Sequence, residues 1–273
     1  MHLISALLFS ISSISIMFVN KIILKDTNTF LLFLVQNTVS LCLLLMCNSL
    51  GLIKISFKFT WGKLITSLFS IINILLGMVA VSKMNMVMFV TLRRGGNLLT
   101  MWIEILLIKK YISKVSQLFV YIMVIGGLIA AYNDFELDIY GFIHVMLCNI
   151  TTTTSQILIK KYNYDISTSL FYNSLFGTIL SFVLIFLIPT HPRIKSLDFS
   201  LLILSPFLGL LVNYGSFWCM QMNSATTFSM VGSTKNIIMG LLSILIDHHK
   251  NNFLYTIGII ISFISSVSYL VVT

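Results

Sequence analysis

Long apolar runs without charge alternate with short polar segments along the whole chain. The runs 64–82, 115–133 and 139–159 contain no charged residue, and each is close to the ~20 residues that a helix needs to cross the hydrocarbon core of a bilayer. The uncharged runs 166–192 and 199–234 are longer, and the second holds one full span and the start of another. The pattern predicts ten spanning helices, at residues 1–20, 29–51, 62–82, 85–108, 115–133, 139–159, 167–188, 199–220, 224–246 and 253–272.

The composition agrees with an all-α polytopic membrane protein. Hydrophobic residues make up 58% of the 273 positions and charged residues only 9%, with a mean hydropathy of +1.00. Ten helices of ~20 residues leave short connections and no room for a soluble domain, so we expect residues 1–273 to form a single transmembrane transporter domain. The GxxxxGK[ST] phosphate loop of a nucleotide-hydrolysing motor does not occur in the sequence, and transport would therefore depend on gradients.

The basic residues give the orientation and the first candidate chemistry. The 17 lysines and arginines are more numerous in the connections that follow even-numbered spans, which favours cytosolic termini. Three of them, Arg93, Arg94 and Lys235, fall inside predicted spans. A cation at bilayer depth costs at least ~2.5 kcal/mol, so it faces protein or water and has a partner. Snorkelling at a helix end is the alternative, and it is weak for Lys235, which has about ten uncharged residues on each side.

The chain also divides into two halves of five predicted spans. The acidic segment 133–138 marks the join, which predicts two inverted five-helix repeats at residues 1–135 and 136–273. Polar residues then fall at matching depths in spans 2 and 7, and basic residues at matching positions in spans 4 and 9. The first correspondence pairs Gln36 and Asn37 with Tyr172 and Asn173, and the second pairs Arg93 and Arg94 with Lys235 and Asn236. Positive charge is therefore expected on both sides of one central cavity.

Helix periodicity separates the two adjacent arginines. Arg93, Asn97, Thr100 and Glu104 follow the i, i+4, i+7, i+11 spacing of one polar stripe. Arg94 lies ~100° around the helix and must reach sideways or bond to a neighbouring helix. Arg93 is therefore the better candidate for a cavity.

Glu104 is the acidic residue inside this stripe. It lies ~16 Å along the helix from Arg93, too far for a direct pair. It is a candidate gate, proton site or partner to a basic residue on another span, and an interfacial carboxylate near Lys109 is an equal alternative. Gln36 and Asn37 are further candidates for gating or coupling.

Spans 7 and 9 carry small and polar residues in stripes. Asn173, Gly177 and Ser181 share one face of span 7, where small residues permit close helix contact. Tyr172 and Asn173 offer a ring and an amide that suit a nucleobase edge, although such a pattern also serves packing. Gly232, Asn236 and Gly240 form a stripe beside Lys235 in span 9.

Cations, an amide and aromatic rings together indicate a carrier for an organic phosphate, since Arg holds a diphosphate at two points and Lys acts as a point charge. No span holds a paired acid and base or a set of metal ligands, which argues against an enzyme. We expect no cofactor, no metal and no nucleic-acid partner.

Four stretches carry a resemblance to a known family: FVNKIIL at the end of span 1, KMNMVMFVTLRR through span 4, FYNS in span 7 and QMNSATTFSMVGSTKN entering span 9. They resemble nucleotide-sugar transporters of the drug/metabolite transporter superfamily, and are most similar to the branch that carries UDP-glucuronate, UDP-N-acetylgalactosamine and UDP-N-acetylglucosamine. The resemblance implies ten helices in inverted repeats, a Golgi or endoplasmic reticulum membrane, and exchange of a cytosolic nucleotide sugar for luminal nucleoside monophosphate.

The same resemblance assigns residues. Tyr172 and Asn173 match an FYN element that contacts the nucleotide in GDP-mannose carriers, and the stretch from Gly232 to Asn236 matches an element that contacts sugar and phosphate. Ser174 in place of a second Asn, and the order Lys235-Asn236 instead of Asn-Lys, depart from GDP-mannose carriers. The predicted substrate-binding residues are Arg93, Arg94, Tyr172, Asn173, Ser174, Tyr214, Gly232, Ser233, Lys235 and Asn236.

The sequence thus predicts an antiporter of a nucleotide sugar, of the UDP-sugar class, against nucleoside monophosphate. A triose-phosphate or phosphoenolpyruvate exchanger, a GDP-mannose-type transporter and a non-transporting scaffold stay open as alternatives. The bilayer is the expected environment, and a homodimer is one of the open oligomeric states.

Overall fold

The computed structural model describes residues 2–24, 27–83, 86–106, 109, 111–132, 139–187, 198–246 and 253–272. These residues form ten α-helices and, within the described ranges, no strand. The helices are α1 (His2–Ile23), α2 (Thr29–Ser49), α3 (Trp61–Lys83), α4 (Met86–Leu106), α5 (Lys114–Ala131), α6 (Ile139–Tyr162), α7 (Ile166–Leu187), α8 (Asp198–Met222), α9 (Ala225–Ile246) and α10 (Phe253–Val272). Each predicted span coincides with one helix, so the all-α prediction is confirmed.

Six of these helices are long and apolar enough to cross a membrane: α1, α2, α6, α7, α8 and α10. Shorter apolar stretches lie in α3 (Trp61–Gly77) and α5 (Lys114–Ala130). Spanning by the remaining helices stays a prediction. The acidic segment 133–138, taken from the sequence as the join between the repeats, lies outside the described residues.

Local sequence sets several helix ends. Asn28 caps α2 by accepting the N–H of Phe30, and Ser113 caps α5 by accepting the N–H of Ser116. These side chains satisfy N–H groups that the first turn of a helix leaves without a partner. Gly51 follows α2 with φ +71°, a left-handed conformation that favours glycine.

The described helices group into two compact units. The first comprises Met1–Ile71 and Leu158–Met222, and therefore contains α1, α2, α7 and α8 with the start of α3 and the end of α6. In it α1 packs against α8, while α2 packs against α7 and α8.

The helices α2 and α7 approach closely at Gly177. An ideal Cβ at this glycine of α7 would lie 2.5 Å from Oδ1 of Asn37. The predicted role of the small residues in span 7 is thereby confirmed. The buried core of this unit consists of Leu44, Ile55, Leu170, Phe171, Tyr172 and Phe217.

The segment 51–60, between α2 and α3, is tied to the first unit by polar contacts. The N–H of Ser56 donates to Thr168 Oγ1 at 3.1 Å, and the hydroxyl of Tyr172 donates to the carbonyl of Phe57 at 3.0 Å. The ammonium of Lys63 donates to the carbonyls of Lys58 at 2.7 Å and Ser56 at 3.1 Å. Lys63 is buried, so its three N–H donors need these oxygens in place of water.

The second unit comprises Ile72–Ile157 and Asn223–Thr273, with α4, α5, α9, α10 and the remaining parts of α3 and α6. In this unit α5 packs against α10, α4 against α5 and α9, and α9 against α10. Glycines allow the closest of these contacts, because a Cβ at Gly126 would lie 2.9 Å from the carbonyl oxygen of Gly258. A Cβ at Gly258 would meet the backbone of Gly126 and Ala130. Small residues at helix contacts are typical of bilayer proteins, where close packing replaces the hydrophobic effect.

We expect Gly258→Ala to destabilise the second unit by about 1–3 kcal/mol, because the new methyl group would overlap backbone atoms of α5 that cannot rotate away. Thermal unfolding of the purified protein in detergent measures the effect. Gly95→Ala is the matched control, since its Cβ would have its nearest neighbour, Asn149 Nδ2, at 3.8 Å. Equal unfolding temperatures for the two variants would contradict the close α5–α10 contact.

Lys63→Met should loosen the segment 51–60, because two backbone carbonyls of the segment lose their donor. Limited proteolysis with chymotrypsin measures this as several-fold faster cleavage at Phe57 and Phe59. Lys54→Met removes an exposed lysine of the same segment and should leave the cleavage rate unchanged. Equal rates for both variants would rule out the anchoring role of Lys63.

Candidate functional site

Arg93 lies half-buried on α4 and is held by neutral partners. Its Nη1 donates to Thr152 Oγ1 at 3.1 Å and to Asn73 Oδ1 at 3.4 Å, and contacts Cys148 Sγ at 2.6 Å. Thr152 in turn donates to Asn73, so these side chains of α3 and α6 form one polar cluster around the guanidinium. The described residues supply no acidic side chain that pairs with Arg93. The cluster therefore orients the guanidinium and leaves its positive charge in place.

Lys235 lies half-buried on α9, the helix that packs against the α4 helix of Arg93. The packing of α4 against α9 brings them near each other, although they are more than a hundred positions apart in the sequence. Gly232 lies at i−3 on the face of α9 that Lys235 occupies, whereas Asn236, the next residue, lies ~100° around the helix. A Cβ at Gly232 would have no atom within 4 Å, so this face of the helix is open beside the lysine.

Ser233, also predicted to bind substrate, is buried and points to α4. It accepts a hydrogen bond from Asn97 Nδ2 at 2.6 Å. The structure thus gives Ser233 a helix-packing contact.

Arg94 turns away from Arg93. It is 3% exposed, and its Nη1 donates to Ser262 Oγ of α10 at 2.7 Å. A Cβ at Gly127 of α5 would lie 2.9 Å from Nη1 of Arg94, so the glycine makes room for the guanidinium. Arg94 is thus enclosed by α5 and α10 and bonds to a neighbouring helix, the alternative that periodicity left open. Nothing in this arrangement favours the predicted contact of Arg94 with substrate.

Glu104 has partners that the sequence did not indicate. Its carboxylate accepts the N–H groups of Ala225 at 3.1 Å and Thr226 at 3.0 Å, and also the hydroxyl of Thr226. These are the first residues of α9, so Glu104 occupies the N-terminus of that helix. The sequence left open a gate, a proton site, a partner to a basic residue and an interfacial position near Lys109, and the first two stay predictions. The structure shows instead a buried carboxylate bound to backbone amides.

The remaining predicted residues belong to the first unit. Tyr172, Asn173 and Ser174 are all buried on α7. The Tyr172 ring packs against Phe171 at 5.3 Å and Phe176 at 6.0 Å between ring centroids, and the ammonium of Lys63 lies 4.9 Å from its centroid. The carbonyl oxygen of the Asn173 side chain is buried without a hydrogen-bond donor among the described residues. This atom is an available acceptor at a position where the sequence predicts an amide that reads a ligand.

Gln36 and Asn37 serve helix contacts in the first unit. Gln36 Nε2 donates to Asn20 Oδ1 of α1 at 3.0 Å and also bonds to Ser205 of α8. Asn37 Nδ2 donates to the carbonyl of Phe33 at 2.8 Å.

Tyr214 on α8 is 41% exposed and packs against Trp218 with 6.1 Å between ring centroids.

The structure adds residues that the sequence analysis missed. Lys63, at the very start of the predicted span 62–82, was given no role, yet it belongs to the first turn of α3 and lies buried against Tyr172. It lines a small recess in the first unit with Thr66, Ser67, Ile159, Tyr164, Ser169, Tyr172 and Phe217. Asn73 and Thr152, which hold Arg93, were likewise unassigned. A signal was available in each case, since a polar residue inside an apolar span requires a partner.

Comparisons with known proteins identify the family of this chain. The EamA-like transporter family matches residues 137–271. The UDP-sugar transporter UST74c of Drosophila melanogaster is 31% identical over 98% of this chain and 77% of that protein. The UDP-sugar transporter sqv-7 of Caenorhabditis elegans is 25% identical over 86% of this chain and 77% of that protein. The GDP-mannose transporter of Neurospora crassa is 24% identical over 97% of this chain and 77% of that protein.

A crystal structure of another protein aligns with 98% of this chain and 97% of its own chain at a TM-score of 0.75. The two sequences are 12% identical, so this likeness shows the fold alone. The similarity to UST74c extends over nearly the whole chain and includes α4, α7 and α9. The chain therefore belongs to the nucleotide-sugar transporters of the drug/metabolite transporter superfamily.

Proposed function

We propose that the protein is an antiporter that exchanges a UDP-sugar for a nucleoside monophosphate across an internal membrane. The observation that carries the proposal is the packing of α4 against α9 in the second unit, which places Arg93 and Lys235 on neighbouring helices. Two like charges near each other in a low-dielectric region destabilise each other. A diphosphate carries two negative phosphate groups, so each of the two cations would be attracted to a phosphate group when the substrate is bound. Arg93 would bind it in two-point fashion and Lys235 as a point charge.

The names of the relatives support the uridine nucleotide. UST74c and sqv-7 are both UDP-sugar transporters by name, and UST74c is more similar to this chain than the GDP-mannose transporter of Neurospora crassa. Ser174 and the order Lys235-Asn236 also depart from the pattern of GDP-mannose carriers. We therefore assign the UDP-sugar class, with residence in the Golgi or endoplasmic reticulum and cytosolic termini.

Alternating access by two inverted repeats fits the packing inside each unit. In the first unit α2 packs against α7, and in the second α4 packs against α9 and α5 against α10. Each of these pairs joins one helix of 1–135 to its counterpart in 136–273, as a pseudo-two-fold axis requires. Neither half forms a unit by itself, which favours one domain over residues 1–273 with ten spans.

Tyr172 and Asn173 remain our candidates for reading the base. The buried Oδ1 of Asn173 can accept a hydrogen bond from an N–H of uracil. The open space at Gly232, about one turn before Lys235, suits the sugar diphosphate, and Asn236 follows Lys235 directly. In this proposal Arg94 and Ser233 support the site through helix packing.

The purified protein in liposomes preloaded with UMP should take up a radiolabelled UDP-sugar by exchange. Uptake is compared in liposomes preloaded with UMP, GMP, inorganic phosphate or buffer. Stimulation by UMP supports the proposal, whereas stimulation by GMP alone indicates a GDP-sugar carrier. Stimulation by inorganic phosphate alone indicates a phosphosugar or phosphoenolpyruvate exchanger. Absence of any stimulation contradicts exchange.

Lys235→Ala and Arg93→Ala should each lower the exchange rate at limiting substrate by about a hundredfold, because the diphosphate loses one of two buried charge partners. Lys114→Gln is the matched control, since it removes an exposed positive charge from the start of α5 and should leave exchange unchanged. Near-normal exchange by Lys235→Ala, in protein that unfolds at the parental temperature, would remove the phosphate role.

A further inference from the structure

Two polar contacts fix the register of α4 against α9 in the second unit. Asn97 bonds to Ser233, and Glu104 bonds to Thr226. Glu104 follows Asn97 by seven residues, and Thr226 precedes Ser233 by seven residues. Equal spacing in opposite directions means that the helices run antiparallel here and meet at points about two turns apart.

The Asn97 contact uses both ends of the side-chain amide. Nδ2 donates to Ser233 Oγ at 2.6 Å, while Oδ1 accepts from Ser229 Oγ at 2.5 Å. Asn97 is buried, so a substitution that removes either group leaves a serine hydroxyl without its partner. An amide is therefore required at this position by both contacts.

The Glu104 contact acts on the first turn of α9. The carboxylate accepts the N–H groups of Ala225 and Thr226, and Ser224 accepts the next one, from Thr227, at 3.0 Å. These groups have no partner within the helix itself. A negative charge at a helix N-terminus is also stabilised by the helix dipole. Glu104 is thus bound at a defined point along α9.

Together these contacts determine which residues of α4 and α9 lie opposite each other. Arg93 precedes Asn97 by about one turn of α4, and Lys235 follows Ser233 by two residues on α9. Two like charges do not attract each other, so an interaction between Arg93 and Lys235 cannot hold the two helices together. The attraction must come from other contacts on the same pair of helices, and Asn97 and Glu104 provide it.

We propose that Asn97 and Glu104 are positioning residues for the anion site: they hold the α4–α9 register that places Arg93 beside Lys235. The inference rests on the proposed function, because the affected quantity is the affinity for a diphosphate. The hydrogen bond of Thr100, which is also buried on α4, has a different direction. Thr100 bonds to Thr153 of α6 at 3.0 Å and so does not act on α9.

Exchange kinetics test the inference. Glu104→Ala and Asn97→Leu should each raise the KM for UDP-sugar about tenfold with little change in kcat, since a displaced α9 weakens a shared binding site. Glu104→Gln should recover part of the affinity, because its amide oxygen still accepts an N–H. Ser265→Ala is the control: it removes a 2.5 Å bond from α10 to the carbonyl of Phe119 on α5, and should lower stability without raising the KM.

A cross-linking experiment tests the register of α4 against α9 in the absence of substrate. Met101 of α4 and Met230 of α9 belong to one fully buried cluster. In the double variant Met101→Cys/Met230→Cys, a short bifunctional thiol reagent should join the two helices. Adding Glu104→Ala should reduce the cross-linked fraction, whereas adding Ser265→Ala should not.

A raised KM together with a reduced cross-link supports the inference, and Asn97→Leu or Glu104→Gln serves if Glu104→Ala does not fold. An unchanged KM or an unchanged cross-link overturns it, even if Lys235→Ala still abolishes exchange. If the proposed function itself is wrong, the unaltered protein shows no nucleotide exchange at all. This result distinguishes failure of the proposed function from failure of the inference about Asn97 and Glu104.

Discussion

A cation that enters the hydrocarbon layer of a membrane must replace its hydration shell with groups supplied by protein or ligand. The two adjacent arginines of α4, a predicted span, meet that requirement in different ways. Arg94 is enclosed and bonded to Ser262, with Gly127 leaving the space it needs. Arg93 is oriented by the neutral side chains of Asn73 and Thr152. The guanidinium of Arg93 is thus oriented, but the described residues do not neutralise its positive charge.

The same shortage of water governs how the helices associate. Lipid is as apolar as a leucine side chain, so burial of apolar surface does not choose between helix registers. Polar contacts and close backbone approach make that choice. Gly177 admits Asn37 between α7 and α2, and the pair Gly126 and Gly258 brings α5 against α10. Between α4 and α9, where the cations lie, the contacts are hydrogen bonds to Asn97 and Glu104.

A carrier needs a conformation that is more stable with substrate bound than without it. A ligand shifts a conformational equilibrium only by the difference between its affinities for the two states. Arg93 and Lys235 have this property in the proposed site. Their repulsion disfavours close approach of the two side chains when the site is empty. An anion bound between them makes the net electrostatic interaction favourable. In the first unit, Asn173 with its buried acceptor offers a comparable site for a neutral polar group. Its stabilisation likewise depends on a donor that the described residues do not supply.

The sequence by itself determined the helical class, because long and mainly apolar runs satisfy their backbone hydrogen bonds in a bilayer by forming helices. It also separated Arg93 from Arg94, because the 3.6-residue period alone places adjacent residues on different faces. The partners of these residues were decided by the tertiary structure. No local pattern indicated that Glu104 would bind the N-terminus of α9, or that Lys63 would be buried against Tyr172. Both contacts join residues far apart in the sequence, and a helix period carries no information about which neighbouring helix its polar face will meet.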